Sequence, residues 1–318
     1  MVDEQGTALV SIVVPVYNEA ENIAAFHQKI CEVMEATSYS FELLFVDDGS
    51  QDASVVLLDQ ICQRDPRVRM LVLSRNYGHQ TALTCGLDYA AGDVVITMDG
   101  DFQHPPELLP ALLQLWEDGF EVVQTVRMST EGVSFFKQWT SSMFYRVINA
   151  LSDVKIVEGG SDFRLLDKKA VRAFRLFRER ARFIRGMVSS IGFRTTQFEF
   201  VAPPRRAGVS KFSLHKMLHF ALDGITAFSR LPLRFALYAG IVCGLVSFVL
   251  TFHVLYIKLM TEEAVAGWAT VAASILFLGG LQLIGIGIVG EYVGRIFEEV
   301  KQRPLYLVRM DNKENEKK

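Results

Sequence analysis

The sequence predicts an α/β domain built on a mostly parallel sheet, followed by a C-terminal hairpin of two membrane-spanning helices. Apolar, β-branched runs alternate with stretches of helical periodicity through the first 130 residues, a pattern typical of βαβ units. Two later runs, 235–257 and 264–290, contain no Asp, Glu, Lys or Arg. These two observations together predict one water-facing domain and one membrane anchor.

Five apolar runs in the N-terminal part predict strands, at 9–14, 41–46, 68–73, 94–98 and 121–126. The periodicity of the segments 19–36 and 52–62 predicts helices between them. In such a sheet the parallel strands end at one edge, and ligands bind at that carboxyl edge. The residues that follow each run are therefore the candidate site.

Polar and ionisable residues follow each of the five runs. In chain order they are Pro15, Tyr17, Glu19, Asp47, Asp48, Asn76, Asp99, Gly100, Asp101, Gln103 and Arg127. An isolated Asp-Gly pair is most often a turn, but acidic residues after several strands are harder to explain as turns alone. Asp99 and Asp101, separated by one glycine, can face a single hard cation, and Gln103 can add a carbonyl oxygen. Because Mg²⁺ and Mn²⁺ prefer oxygen ligands, the sequence predicts a site for one of them here.

The two uncharged runs predict membrane spans. At about 1.5 Å per residue each run reaches about 35 to 40 Å, which exceeds a hydrocarbon core of about 30 Å. Basic residues flank the outer ends of the pair, whereas the connecting loop contains only Lys258. The positive-inside rule then predicts an integral protein of the cytoplasmic membrane with both termini in the cytoplasm. The charged tail, MDNKENEKK, predicts disorder.

The predicted domain boundaries follow from these segments. A catalytic domain covers 1–212, an interfacial amphipathic helix 213–231, the hairpin 232–294 and a cytoplasmic tail 295–318. A second amphipathic stretch lies at 136–148, and both stretches fit either core packing or the membrane surface. Glycine pairs four residues apart in the spans leave a homo-oligomer open.

Composition excludes one class of partner. The formal net charge is −3, from 33 basic and 36 acidic residues. This balance argues against binding of nucleic acid, which a strongly basic surface would favour. The four cysteines form no CxxC pair, which predicts reduced thiols.

Five segments of the chain carry a family resemblance: VSIVVPVYNE, LFVDDGSQD, SRNYGHQTAL, MDGDFQHPPE and RRAGVSK. They resemble family 2 glycosyltransferases of the GT-A fold, a Rossmann-like arrangement. With the C-terminal spans, the chain is similar more narrowly to polyprenyl-phosphate (bactoprenol) glucosyltransferases and dolichol-phosphate mannose synthases. The likeness covers about residues 8–300 and implies a nucleotide-sugar donor, a divalent cation and a polyprenyl phosphate acceptor. The QxxRW motif of processive synthases is absent, which favours a single transfer.

The resemblance also implies roles for individual residues. For the nucleotide sugar they are Pro15, Tyr17, Glu19, Asp47, Asp48, Asn76, Asp99 and Gly100. For the metal they are Asp99, Asp101 and Gln103. For the acceptor phosphate they are Arg127, Lys137, Ser141 and Arg205, and Lys211 shares the RxxGxSK loop with Arg205.

The acceptor determines which catalytic groups are needed. A phosphate monoester is largely dianionic near pH 7, so it needs cations around it more than a base. The predicted reaction is inverting attack on the sugar C1, helped by the metal, Arg127, Arg205 and Lys211. Asp162 is a further candidate, as a base, as an acceptor-orienting group, or as a structural cap or turn residue.

The substrates retain alternatives. Glucose from UDP-glucose is favoured over mannose from GDP-mannose and over an aminoarabinose-type sugar. Another lipid such as diacylglycerol is a second acceptor hypothesis. The third hypothesis is a component of a lipid-sugar flippase, which would bind nucleotide sugar without catalysis.

Overall fold

The computed structural model of the protein describes residues 7–128, 159–203, 231–260 and 267–313. These residues belong to two compact units. The first unit contains 7–128, 159–203 and 303–313, and the second contains 231–260 and 267–302. The predicted boundaries at 212 and 231 fall outside the described residues or at their limit.

The first unit is a sheet with helices on its faces. Its strands are β1 Leu9–Val16, β2 Ser40–Asp47, β3 Val68–Leu73, β4 Val94–Thr97, β5 Val122–Arg127, β6 Gly160–Asp167, β7 Thr195–Phe200 and β8 Val308–Asp311. Its helices are α1 Ala20–Glu35, α2 Ser54–Arg64, α3 His79–Tyr89, α4 Leu109–Glu117, α5 Lys168–Phe174 and α6 Ile184–Ser190.

All five predicted strands are present, as β1 to β5, and the two predicted helices are α1 and α2. The described strands are ordered β7-β5-β6-β4-β1-β2-β3-β8. Strands β1 to β4 pair in parallel where they are neighbours, and β6 is antiparallel to both β4 and β5. Strand β5 therefore runs in the direction of β4, and all five carboxyl ends lie at one edge, as predicted.

Burial on both faces explains why these strands are continuous apolar runs. In β1, Val10, Ile12, Val13 and Val14 are all fully buried. Parallel strands covered by helices on both sides have this composition, because neither face meets water. The α1 residue Phe26 is also fully buried in the same core, so the first βα unit is fixed by apolar contact.

The C-terminal segment departs from the prediction of a disordered tail. Strand β8 pairs antiparallel with β3. The carboxylate of Asp311 accepts from Arg69 Nε at 3.1 Å and from Arg69 Nη2 at 2.6 Å, and Asn312 Oδ1 accepts from Met70 N at 2.8 Å. For 310–313 the prediction of disorder is wrong, because a distant sheet edge supplies the partners for these polar groups, whereas 314–318 lie outside the described residues.

The second unit consists, in its described part, of two long helices, α7 Leu231–Met260 and α8 Trp268–Val300. Among the described residues one segment, Phe277–Val300, is long and apolar enough to cross a membrane. A shorter apolar segment occupies Phe235–Leu250 of α7. The helices contain most of the two predicted spans, but two membrane crossings and their orientation stay predictions.

We expect Asp311→Asn to lower the free energy of unfolding by about 3 kcal/mol, because it leaves the largely buried Arg69 charge without its partner. Urea unfolding of the detergent-solubilised protein measures this loss. Arg309→Ala, on an exposed position of the same strand, is the control and should change stability by less than about 0.5 kcal/mol. Equal unfolding midpoints for Asp311→Asn and wild type would contradict a structural role for the tail.

Candidate active site

Hydrogen bonds join the loop after β1 and the loop after β2 into one block. Asn18, in the left-handed region at φ 54°, donates its N–H to Ser50 Oγ at 2.9 Å. Its side-chain Oδ1 accepts from Gln51 N at 2.8 Å, and Glu19 N donates to Ser54 Oγ at 3.1 Å. Glu19 is thereby held directly before α1. The two loops that carry most of the predicted nucleotide-binding residues thus form a single rigid surface.

Asp48 joins this block to the loop after β3. Its Oδ1 accepts from Tyr77 N at 2.7 Å and its Oδ2 from Gly78 N at 2.8 Å. The side chain is buried, and burial raises its pKa even though the two amides favour the charged form. Both oxygens thus accept from backbone amides, so Asp48 fixes the loop after β3 against the loop after β2.

Asp47 keeps one oxygen without a partner. Its Oδ1 accepts from the N–H groups of Gly49 and Ser50, at 3.1 and 3.0 Å. Its Oδ2 is buried and has no hydrogen-bond partner among the described residues. Burial raises the pKa of Asp47 as well. Because buried acceptors are normally satisfied, this oxygen is a candidate for contact with a ligand.

Gly49 allows the second and third loops to approach closely. Its φ is 73°, and a Cβ there would lie 2.6 Å from the carbonyl carbon of Arg75 and 2.7 Å from Asn76 N. Any side chain would therefore push the two loops apart. The hydrogen bonds from Tyr77 N and Gly78 N to Asp48 depend on this close approach of the two loops.

The Asp-Gly-Asp turn after β4 is held by a histidine that sequence reasoning missed. Asp99 N donates to His104 Nδ1 at 2.8 Å, so the proton of this ring lies on Nε2. His104 Nε2 then donates to Ser161 Oγ at 2.6 Å, and the ring stacks on Phe163 at 5.2 Å. Burial lowers the pKa of His104, which keeps the ring neutral in this role.

The carboxylates of this turn fit a divalent cation. Asp99 Oδ1 is buried and lacks a hydrogen-bond partner among the described residues. Asp101 is buried too, and its Oδ1 accepts from Gln103 N at 3.0 Å. Two acids on one turn, one with an oxygen that accepts no hydrogen bond from the described residues, offer oxygen ligands of the kind that Mg²⁺ or Mn²⁺ binds.

Asp162 is the most highly connected acid of the site. Its Oδ1 accepts from Arg164 Nη2 at 2.8 Å and from Arg185 Nε at 3.2 Å. Its Oδ2 accepts from Gln80 Nε2 at 3.3 Å and lies 3.6 Å from His79 Nε2. Burial alone would raise its pKa, but Arg185, His79 and Arg164 together lower that pKa well below its usual range.

This environment separates the alternatives for Asp162. A carboxylate with a strongly lowered pKa is a poor proton acceptor, which disfavours the role of a base. Asp162 lies within β6, so a helix-cap or turn role is wrong. Its contacts instead make it the anchor of the cations around the site.

His79 connects Asp162 to the Asp-Gly-Asp turn. This first residue of α3 places Nε2 3.5 Å from Asp99 Oδ1 and 3.6 Å from Asp162 Oδ2. Burial would lower its pKa, but the negative charges of Asp99 and Asp162 raise it to about 9. Sequence reasoning missed His79, although it directly follows the loop after the third predicted strand.

The remaining predicted residues fall into three groups. Pro15 is buried in β1, whereas Tyr17, Gly100 and Gln103 are half-buried at the carboxyl edge. Asn76 and Arg127 are exposed at the same edge, and Arg127 ends β5. Outside the described residues lie Lys137, Ser141, Arg205, Lys211, the stretch 136–148 and nearly all of the predicted helix 213–231.

A mostly parallel sheet with acidic loops and an Asp-Gly-Asp turn at its carboxyl edge is typical of α/β proteins that bind nucleotide ligands there. Within that class, the chain belongs to glycosyl transferase family 2, whose profile matches residues 11–175. The protein is therefore a glycosyltransferase.

Relatives match nearly the whole chain. The uncharacterized glycosyltransferase YkcC of Bacillus subtilis is 45% identical over 298 residues, 94% of this chain and 92% of that protein. The SfII prophage-derived bactoprenol glucosyl transferase of Shigella flexneri is 40% identical over 306 residues, 96% of this chain and 99% of that protein. A Mycobacterium tuberculosis glucosyl-3-phosphoglycerate synthase, solved with Mn²⁺, UDP and phosphoglyceric acid, is 17% identical. Its TM-score is 0.47, over 69% of this chain and 76% of that chain.

We expect Gly49→Ala to destabilise the protein more than Gly192→Ala. Both glycines have positive φ, but a Cβ at Gly192 meets nothing within 4 Å. Gly192→Ala should cost about 1 to 2 kcal/mol from backbone strain alone. Gly49→Ala should cost about 1 to 3 kcal/mol more, because the loops must separate. Thermal unfolding measures both, and equal losses would show that the loop contact is unimportant.

Proposed function

We propose that the enzyme transfers one glucose from UDP-glucose to a polyprenyl phosphate at the cytoplasmic face of the membrane, with inversion at C1. The observation that carries this proposal is the 40% identity to a bactoprenol glucosyl transferase over 99% of that protein's length. The acidic edge of the sheet supports it, because its chemistry suits a nucleoside diphosphate and a cation.

In this proposal Asp99, Asp101 and Gln103 would hold Mg²⁺ or Mn²⁺. When bound, the cation would supply positive charge to the pyrophosphate of the donor. Asp99 Oδ1 supports the assignment, because it accepts no hydrogen bond from the described residues, although the His79 ring lies 3.5 Å away. The His79 ring, 3.5 Å from the same Asp99 Oδ1, would balance part of the negative charge of this turn.

The donor nucleoside lies against the block formed by the first two loops. On the β1 side the nucleoside is lined by Pro15, Tyr17 and Glu19. Asp47 Oδ2 accepts from an N–H or O–H of the nucleoside, which satisfies a buried oxygen. Asp48 contributes indirectly, because it fixes the Tyr77–Gly78 backbone that borders the same edge.

The transfer step needs no base. An oxygen of the acceptor phosphate forms a bond to C1 of the sugar. The bond from C1 to the UDP oxygen breaks, and its electron pair leaves with UDP. The acceptor phosphate is bound by Arg127, Lys137, Ser141, Arg205 and Lys211. The positive charges of the arginine and lysine side chains offset the repulsion between the two anionic substrates.

The lipid acceptor lies in a membrane, and we propose that α7 and α8 anchor the enzyme there. Helices of 30 and 33 residues reach about 45 to 50 Å at about 1.5 Å per residue. We propose that both cross the bilayer, within 235–257 and 264–290, with both termini in the cytoplasm. The basic residues at the outer ends support this orientation.

Purified protein, supplied with labelled nucleotide sugars, undecaprenyl phosphate or diacylglycerol, and Mn²⁺ or Mg²⁺, tests the proposal directly. We expect a labelled lipid only from UDP-glucose with undecaprenyl phosphate, and no product after EDTA treatment. Product from diacylglycerol, from GDP-mannose or from an aminoarabinose donor instead would reassign the substrates. Donor binding without any product would favour a flippase component.

Asp101→Asn should lower this transfer by at least about a hundredfold, since a catalytic metal contributes several kcal/mol to the transition state. The matched control is Asp59→Asn, an exposed α2 residue bonded to Gln63, which should keep wild-type turnover. Undiminished turnover of the Asp101 variant, or of wild type after exhaustive chelation, would refute the metal assignment.

Asp162→Asn distinguishes a positioning residue from a base. We expect a lower kcat, because the cations around Asp162 lose their anchor, while the pH profile of the rate keeps its acidic limb. Loss of that limb would identify Asp162 as a base, and wild-type rates would remove it from the site. The unfolding temperature of the variant is measured alongside, to separate misfolding from either result.

A further inference from the structure

A cluster of metal-ligating side chains lies at the opposite edge of the sheet. His27 and Cys31 are one helical turn apart on α1, and Asp65 directly follows α2. Asp65 O accepts from Val68 N at the start of β3, so this cluster is at the amino edge. None of its residues takes part in the site described above.

The three side chains are spaced like ligands of one ion. His27 Nε2 is 3.2 Å from Asp65 Oδ2, Cys31 Sγ is 3.4 Å from His27 Nε2, and Cys31 Sγ is 3.7 Å from Asp65 Oδ2. In a tetrahedral zinc site, with bonds of about 2.1 Å to N or O and about 2.3 Å to S, such edges measure about 3.4 to 3.6 Å. The three atoms therefore already lie near three corners of that tetrahedron.

We propose that His27 Nε2, Cys31 Sγ and Asp65 Oδ2 bind one Zn²⁺ ion, with water in the fourth position. Thiolate and imidazole ligands favour zinc over the hard cations Mg²⁺ and Mn²⁺. On binding, the Cys31 S–H bond breaks, an S–Zn bond forms, and the proton passes to solvent. The site thus differs in its metal class from the acidic turn at the carboxyl edge.

Arg67 contacts two of the three proposed ligands, since its Nη2 lies 3.7 Å from Cys31 Sγ and also donates to Asp65. Its Nε donates to Asp65 Oδ1 and its Nη2 to Asp65 Oδ2, both at 2.9 Å. Its Nη1 donates to Glu35 Oε1 at 2.9 Å. Hydrogen bonds of this kind orient a ligating carboxylate. With Cys31 as thiolate, three negative groups match the three positive charges of Zn²⁺ and Arg67.

The ion has a route to the site and a structural effect there. The His27 and Asp65 side chains are 20% and 11% exposed, so solvent reaches the cluster. Phe26 and Ile30, beside His27 and Cys31 on α1, are fully buried in the core. Zinc would therefore fasten α1 to the connection between α2 and β3 and stabilise the first βα units.

Cobalt titration of the full-length protein in detergent, after removal of metals, tests the site. We expect one equivalent of Co²⁺ to produce a thiolate-to-metal charge-transfer band in wild type and in Asp101→Asn. The sulfur-free acidic turn cannot produce this band. Cys31→Ser should abolish it, and Cys62→Ser, the control cysteine on α2, should retain it. No band in wild type, or an unchanged band in Cys31→Ser, would overturn the proposal.

Zinc-dependent stability gives a second measurement, made in the Asp101→Asn background. We expect Zn²⁺ to raise the unfolding temperature, and Cys31→Ser to remove this rise. If Cys31→Ser does not fold, His27→Gln replaces it, and zinc affinity should fall at least about tenfold. An equal rise with and without the ligand substitution would show that the cluster is held by hydrogen bonds alone.

Discussion

The buried charge of Asp162 is the constraint on which the carboxyl edge depends. A carboxylate inside a sheet is stable only when cations and donors surround it. Arg164, itself 1% exposed, and Arg185 supply the cations, and His79 and Gln80 bring in the start of α3. The backbone carbonyl of Asp162 also accepts a hydrogen bond from Thr97 Oγ1 at the end of β4. One residue thereby fixes β4, β6, α3 and α6 relative to one another.

Residues of one type take different roles because their surroundings differ. Asp48 has both oxygens bonded to backbone amides and shapes a loop, whereas Asp99 keeps an oxygen that no described donor satisfies. Asp162 is held by cations that lower its pKa. In the proposed reaction the acceptor is already anionic, so these acids would serve a cation and positioning, and no base would be needed for proton removal.

The two edges of the sheet suit different tasks. The carboxyl edge gathers loops, because every one of β1 to β5 ends there, and loops can present polar groups to a ligand. At the amino edge, the cluster of His27, Cys31 and Asp65 lies where α1 meets the α2–β3 connection. Between the two edges, strands β1, β2 and β4 are almost entirely buried.

The sequence by itself determined what depends on neighbouring residues. Apolar runs predicted β1 to β5, and the motifs after them predicted an acidic edge with Asp99 and Asp101, because side-chain periodicity and turn composition are local properties. Only the tertiary structure decided the positions of β6 and β8. Strand β6 inserts between β4 and β5 although it buries Arg164 beside Phe163 and Leu165, and β8 pairs with residues more than 200 positions away. His79, His104 and Arg185 likewise gain their roles from distant partners. Such pairings depend on the free energy of contacts that form only when the chain has folded. Local sequence patterns therefore do not predict these pairings.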